Sequence, residues 1–200
     1  MCHDQPMRSE AYIVQGGRTG ILMLRGFTCS PASVLPWAEF LAECGHSNHV
    51  PRLPGHGTHW REMNDTTWHD WYAAAEPLIR RVSALRLLRA TLKPKRGYAQ
   101  PPLFALPSLS PLLHEIKPCL AKIEMPILLI RSIQDHVISA SSSELVLREA
   151  KSPDKELVML ENSFHVATLD YDSEIIIHES LRFTKRLEDG ANIAAETTHD

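Results

Sequence analysis

The last third of the chain shows the clearest pattern of hydrophobic and polar positions, because short apolar runs alternate there with apolar residues at helical spacing. An unbroken apolar run of a few residues is typical of a buried strand, and a spacing of three or four residues is typical of an amphipathic helix. This pattern predicts two consecutive strand–helix units of a parallel sheet with right-handed crossovers. The predicted strands are Ile127 to Ile130 and Glu156 to Glu161, and the predicted helices are Ser142 to Ala150 and Ser173 to Leu187.

The first third of the chain predicts the same alternation of strands and helices. A short edge strand AYIVQ precedes a buried strand from Ile21 to Arg25, and a helix capped by Ser30 starts at Pro31 and ends at Gly45. The segment HVPRLPGHGT then predicts a short strand that enters a glycine-rich loop. Asn64 to Thr67 offer caps for a second helix, whose face carries the residues Trp68, Trp71, Tyr72 and Ala75.

The middle of the chain, from Ala73 to Glu124, has a less regular pattern. Pro77 predicts a break in the second helix, and RVSALRLLRATL predicts a basic amphipathic helix. Such a helix suits a membrane surface, a solvated helix face, or a cap packed over a site, and the last two are favoured. A proline-rich stretch follows, and a short helix is predicted from Leu112 to Ile123.

Composition is that of an ordinary globular protein: 200 residues, 44% of them hydrophobic and 22% charged. We therefore expect an α/β fold with a doubly wound, mostly parallel sheet in a single domain over 1–200. Within it, 93–122 is predicted to be a cap-like or lid-like insertion, and 189–200 a flexible tail.

Charge and hydropathy exclude several classes of function. The net charge of −3 leaves no basic stripe for nucleic acid, and no apolar run is long enough for a transmembrane segment. The N-terminus MCHDQPMRSE has no visible secretory signal. A soluble cytoplasmic protein is expected, and its oligomeric state is left open.

Cysteines and histidines raise the question of a metal site. Cys2, Cys29, Cys44 and Cys119 are widely spaced, as expected for reduced thiols. His46, His49, His56 and His59 lie close together in sequence, but no cysteine or carboxylate joins them in a known ligand spacing. Loop histidines are favoured over a zinc site, and neither a metal nor another cofactor is expected. Stoichiometric metal in the purified protein would support the zinc alternative.

An acid and a base each follow one of the two C-terminal strands. Asp135 lies just past the first strand, and His165 lies just past the second. Because functional groups gather outside the carboxyl ends of parallel strands, we expect the two side chains to meet at one edge of the sheet. A histidine moves protons near neutral pH, and a carboxylate fixes its tautomer and stabilises its cation.

Five segments, in this order, carry a family resemblance. Together they resemble α/β-hydrolase carboxylesterases related to bacterial monoacylglycerol lipases, and the resemblance covers roughly residues 17–83 and 90–187. The resemblance implies a doubly wound sheet with a small helical cap, and hydrolysis of a carboxylic ester or monoacylglycerol by a serine, an aspartate and a histidine. The segments are RGFTCSPAS, VPRLPGHGT, TTWHDWY, PILLIRSIQDHVI and NSFHVATLDYD.

The resemblance also implies roles for three residues. Asp135 matches the acid of the family's catalytic triad, and His165 matches its base. Phe27 of RGFT matches the residue whose backbone N–H helps to form the oxyanion hole. Arg25 stands where the family usually has histidine, a change that a backbone donor at Phe27 survives.

The nucleophile of the family is missing from the sequence. No GxSxG occurs, and the only glycine between Ala73 and Glu124 is Gly97, which has no serine beside it. The elbow needs small residues on both sides of the serine because the strand-to-helix turn is sharp. The sequence therefore predicts a fold truncated in the middle, without the nucleophile and without a central buried strand.

Other residues are weak substitutes for that serine. Ser83, Ser108, Ser110 and Ser132 lack the flanking glycines, and Cys29 would need a base within reach. Two functions follow: an ester hydrolase, or a catalytically inactive remnant of the fold that acts as a binding module or folds poorly. The absent GxSxG favours the second, and the ordered family segments favour the first.

Overall fold

The structure of the protein, a computed structural model, describes residues 10–27, 30–83, 87–92 and 103–196. The chain divides into two compact units, 1–117 (unit 1) and 118–200 (unit 2). Compact units of this size also occur as the halves of one domain, so the single domain over 1–200 stays a prediction. Within the described ranges, no helix combines the length and the apolar character needed to cross a bilayer.

Unit 1 contains a four-stranded mixed sheet in the order β1-β3-β2-β4. β2 pairs in parallel with β3 and with β4, whereas β1 pairs antiparallel with β3 at the edge. Its elements are β1 (Tyr12–Val14), β2 (Gly20–Arg25), α1 (Leu35–Glu43), β3 (Ser47–Val50), α2 (Trp60–Asn64), α3 (Trp68–Ser83) and β4 (Leu87–Leu92), and α4 (Leu109–Cys119) runs from unit 1 into unit 2.

Unit 2 contains a parallel pair of strands with two helices. The register runs from Ile127 opposite Lys155 to Ser132 opposite Leu160, so both strands end at the same edge. The α/β fold and the two C-terminal strand–helix units predicted from the sequence are confirmed. Its elements are β5 (Ile127–Ser132), α5 (Ala140–Glu149), β6 (Lys155–Leu160) and α6 (Ser173–Glu196).

The structure adds a strand in the middle of the chain, where the sequence predicted none, and the predicted truncation of the fold stays a prediction. β4 lies in the chain between α3 and the predicted cap, and all six of its residues pair with β2, from Gly20 opposite Leu87 to Arg25 opposite Leu92. The predicted basic amphipathic helix RVSALRLLRATL is also wrong, because its first residues end α3 and its last six form β4. Pairing with β2 satisfies the backbone groups of this segment, and it outweighs the helix propensity of leucine, arginine and alanine.

Three helix boundaries differ from the sequence prediction. Pro31 to Ser33 form a short 3₁₀ turn, in which the Ser30 side chain makes no capping hydrogen bond, and α1 begins only at Leu35. Pro77 lies inside α3 and does not end it. α6 continues to Glu196, so it takes in the first part of the predicted tail at 189–200.

Each unit has its own apolar core. In unit 1, β2 and α1 contribute buried apolar residues, and a core cluster around Trp71 of α3, which is 7% exposed, packs against Leu24 of β2. The side chain of Tyr72 is 54% exposed, so the aromatic face predicted for this helix is only partly buried. In unit 2, Leu160, Ile176 and Phe183 are each 1% exposed and anchor α6 to the strands. These cores hold the ends of the strands, where the candidate functional residues lie.

Candidate active site

The two loops that follow β5 and β6 bring an acid and a base together. Asp135 lies three residues past the end of β5, and His165 lies five residues past the end of β6. Nδ1 of His165 is 2.9 Å from both carboxylate oxygens of Asp135. The expected meeting of the two side chains at one edge of the sheet is therefore confirmed, because the parallel strands end side by side.

Asp135 is held in its position by its own loop. Its Oδ1 accepts hydrogen bonds from the backbone N–H groups of Val137 at 2.8 Å and Ile138 at 3.0 Å. Burial raises the pKa of Asp135, but the hydrogen bonds from Ile138, His165 and Val137 outweigh it, so the pKa lies below the ordinary 3.8. The carboxyl group is therefore ionised at neutral pH.

The ionised carboxylate fixes the tautomer of His165. A carboxylate can only accept hydrogen bonds, so Nδ1 carries the proton and Nε2 of the neutral ring is left with its lone pair. The His165 side chain is 20% exposed and the Asp135 side chain 13%. A partly buried imidazole in this state can accept a proton at Nε2, and the carboxylate beside it stabilises the resulting cation.

Phe27 lies in unit 1, at the carboxyl end of β2. Its ring packs against Trp71 of α3, with the ring centroids 5.5 Å apart. The Trp71 indole in turn donates to Oγ1 of Thr66 at 3.0 Å, and Thr66 donates to the backbone oxygen of Met63 at 2.8 Å. Trp71, one of the aromatic residues predicted on α3, therefore contacts the oxyanion-hole candidate Phe27 in the loop after β2.

Comparison with known proteins identifies the family to which the chain belongs. The chain is 30% identical over 244 aligned residues to a thermostable monoacylglycerol lipase from Bacillus sp. (strain H-257), with 92% of this chain and 98% of the lipase covered. This chain belongs to the α/β-hydrolase family of monoacylglycerol lipases and carboxylesterases. The resemblance of the five sequence segments is thereby confirmed.

Two further comparisons agree with this α/β-hydrolase assignment. A carboxylesterase from Bacillus subtilis (strain 168) is 22% identical over 237 residues, with 88% of this chain and 96% of the esterase covered. A solved structure described under "LipS and LipT, two metagenome-derived lipolytic enzymes" has a TM-score of 0.85 and 27% identity, with 91% of this chain and all of that chain covered. No family model matches the chain.

The clustered histidines of this chain have local structural contacts. Nδ1 of His46 lies 3.2 Å from the backbone oxygen of Leu41, and Nδ1 of His56 lies 3.0 Å from that of Pro54. Nδ1 of His59 accepts from the backbone N–H of Arg61 at the start of α2. Across the described ranges, no three histidine, cysteine, aspartate or glutamate residues are grouped as metal ligands would be.

Where the structure describes them, the candidate substitutes for the elbow serine either make other hydrogen bonds or are exposed. Oγ of Ser132 donates to the backbone oxygen of Ser163, and Oγ of Ser108 donates to the backbone oxygen of Ala105 at 2.9 Å. Ser110 is exposed on α4. Cys29 and the side chain of Ser83 lie outside the described part of the structure.

Sequence reasoning missed the role of three buried polar residues that lie in or beside the loops that carry Asp135 and His165. Ser132, Ser163 and Asp172 are 5%, 0% and 3% exposed. The Asn162 amide side chain is the main cause of the lowered pKa of Asp172. All three residues lie inside the family segments, but serine and aspartate are so common in loops that their type and spacing alone carried no signal.

Proposed function

We propose that this α/β-hydrolase cleaves carboxylic esters, with monoacylglycerols as its substrate class, and that His165 and Asp135 supply its acid–base chemistry. The observation that carries the proposal is the 2.9 Å contact of His165 Nδ1 with both oxygens of Asp135. The names of the Bacillus relatives, a monoacylglycerol lipase and a carboxylesterase, support the substrate class.

The proposed reaction uses water in place of the missing elbow serine. His165 Nε2 takes a proton from water as the water oxygen forms a bond to the ester carbonyl carbon. The tetrahedral intermediate then expels the alkoxide, which receives that proton from His165. The products are a carboxylic acid and an alcohol, and Asp135 stays ionised throughout.

We assign to the backbone N–H of Phe27 the role of an oxyanion-hole donor, on the basis of the family resemblance. The second donor of the family is the backbone N–H of the residue after the nucleophile, and this chain has no such serine. Stabilisation of the intermediate therefore rests on one assigned donor. The family's cap-like insertion is proposed for 93–122, which includes α4.

The expected rate is low for a hydrolase. General acid–base catalysis contributes roughly 10²- to 10⁴-fold. Covalent catalysis by a serine is absent from this reaction, so turnover should be far below that of a complete Ser-His-Asp enzyme.

A second candidate function is a catalytically inactive member of the family that binds esters without cleaving them. Two observations favour it: the sequence has no GxSxG, and the alignment with the Bacillus lipase runs over 244 residues although this chain has only 200. Residues of the relative therefore have no counterpart here, which supports our proposal that a central segment with the nucleophile is missing.

Hydrolysis of a short-chain p-nitrophenyl ester by purified, folded protein separates the two candidates. We expect slow turnover that His165→Ala reduces by about 10²-fold or more and that Asp135→Asn also reduces, because both changes remove the proton acceptor in its correct tautomer. The matched control His178→Ala removes an exposed histidine on α6, outside the proposed cap, and should leave turnover unchanged. Equal, background-level hydrolysis by the folded parent protein and by folded His165→Ala would contradict the proposed hydrolysis and favour the inactive candidate.

A further inference from the structure

Three buried polar residues lie in or beside the loops that carry Asp135 and His165. They have no role in the proposed reaction. Ser132 ends β5, Ser163 lies in the loop after β6, and Asp172 directly precedes α6. Burying a hydroxyl or a carboxylate is costly unless hydrogen bonds compensate for the lost water. All three side chains are hydrogen-bonded, and their partners lie beside the acid and the base.

Asp172 fixes the loop that carries the base. Its Oδ2 accepts from the backbone N–H groups of Asn162 at 2.8 Å and Ser163 at 2.9 Å, and its Oδ1 accepts from Nδ2 of Asn162 at 3.0 Å. In the reverse direction, the backbone N–H of Asp172 donates to Oγ of Ser163 at 2.8 Å. Four hydrogen bonds therefore hold two residues that lie immediately before Phe164 and His165.

Ser132 joins this loop to the loop that carries the acid. Its Oγ donates to the backbone oxygen of Ser163 and accepts from the backbone N–H of Gln134 at 3.1 Å. Nε2 of Gln134 also donates to the backbone oxygen of Glu161 at 2.6 Å. Gln134 is the neighbour of Asp135 in the chain, so the contacts of Ser132 reach both partners of the pair within two residues.

We propose that Ser132, Ser163 and Asp172 form a polar clamp that positions His165 against Asp135. Its three members are positioning residues, since each acts on the pair through the backbone of a neighbouring residue. The polar clamp rests on the proposed function in one respect, because the pair that it holds is the one assigned to proton transfer. A hydrogen bond weakens steeply with distance and angle, so a loop displaced by about 1 Å would lose the selected tautomer.

The test reads the tautomer of His165 by the ¹⁵N shifts of its imidazole, so it does not depend on ester turnover. Labelled protein and His165→Ala together assign the signals. The parent protein should show the Nδ1–H tautomer at neutral to mildly alkaline pH, because Asp135 accepts from Nδ1.

Two clamp variants should lose that tautomer. Asp172→Ala removes the acceptor of three hydrogen bonds, and Ser132→Ala removes the Oγ that contacts both Ser163 and Gln134. In each, we expect His165 to shift to the Nε2–H form that free imidazole side chains favour, and the pKa of Asp135 to rise toward its ordinary value. Asp172→Asn keeps an oxygen that accepts from the backbone N–H groups of Asn162 and Ser163, and the Asn162 amide can turn its oxygen toward the new N–H, so this variant should recover the Nδ1–H form.

Controls keep a change in tautomer apart from loss of fold. Glu149→Gln removes a carboxylate that pairs with the neighbouring Arg148 on α5, and it should leave the His165 signals unchanged. If either clamp variant keeps the parent's circular dichroism and retains the Nδ1–H tautomer, the polar clamp does not position His165.

The parent protein provides a test that needs no variant. The polar clamp requires slow hydrogen exchange at the backbone N–H groups of Asn162 and Ser163, because both donate to the buried Asp172 carboxylate. Exchange there as fast as in an exposed loop would overturn the proposal even if both variants failed to fold. A clamp confirmed in a protein that shows no turnover would refute the proposed hydrolysis alone.

Discussion

At the scale of single residues, the pairing of Asp135 with His165 indicates a chemical function that neither residue indicates alone. An aspartate after a strand is often a turn former, and a lone histidine is often a satisfied polar group. Their contact through Nδ1 selects one tautomer, and the N–H groups of Val137 and Ile138 keep the carboxylate ionised. These contacts leave Nε2 as the proton-accepting atom.

The lowered pKa values of Asp135 and Asp172 predict the acid dependence of stability. A carboxylate whose pKa is lower in the folded state binds fewer protons there than in the unfolded chain. The stabilisation that such a carboxylate gives the folded state is present above its pKa in the unfolded chain. It is lost as pH falls through its pKa in the folded protein. We expect the free energy of unfolding, measured by urea denaturation, to fall from about pH 5 to about pH 2.

The variant Asp135→Asn tests the contribution of one carboxylate to that decrease. Removing the titrating group should make the decrease of the unfolding free energy below about pH 5 shallower. The exposed Glu149→Gln serves as the control of equal charge change. An acid dependence identical in the parent and in Asp135→Asn would mean that the carboxylate is not stabilised in the folded state.

At the scale of elements, the positions of strands and helices were predicted best where hydrophobic spacing and tertiary packing favour the same structure. β2, β5, β6 and α5 lie close to their predicted positions because their apolar residues recur at the spacing of a strand or of a helix. The pairing of Asp135 with His165 followed from two parallel strands that end side by side. These were predictable because strand runs and loop positions are local properties of the sequence.

Elements decided by long-range pairing or unusual caps were not predictable in the same way. The segment Leu87 to Leu92 contains good helix formers, and only the neighbouring β2 makes it a strand. α2 has five residues and is capped by the ring of His59, a residue that is not among the usual capping types. Pro77 interrupts the backbone hydrogen bonding of α3, but the helix packs onto the core on both sides of it through Trp71, Ala75 and Ile79.

Neighbouring isoleucines of α6 test whether this helix is anchored through its buried face. Ile176 is 1% exposed and Ile175 is 43% exposed. We expect Ile176→Ala to lower the free energy of unfolding by about 2 to 5 kcal/mol, because it leaves a cavity in the core. Ile175→Ala, the matched control, should lower it by about 0.5 kcal/mol or less. Equal losses in urea denaturation would contradict the placement of α6.

At the scale of the whole molecule, family membership and the missing nucleophile have opposite consequences. The chain covers 98% of a monoacylglycerol lipase and keeps an acid–base pair in contact, yet it contains no GxSxG. Its two compact units each keep a sheet and a core of their own. The absence of a GxSxG from the sequence therefore bears on the chemistry more than on the architecture of either unit.

The measurement that tests the central claim most directly is the hydrolysis of a short-chain p-nitrophenyl ester by the folded parent protein and by His165→Ala. We predict slow turnover in the parent and a loss of about 10²-fold or more in His165→Ala, because that change removes the proton acceptor. Equal, background-level hydrolysis by two well-folded proteins would contradict the account and leave an α/β-hydrolase that binds without cleaving.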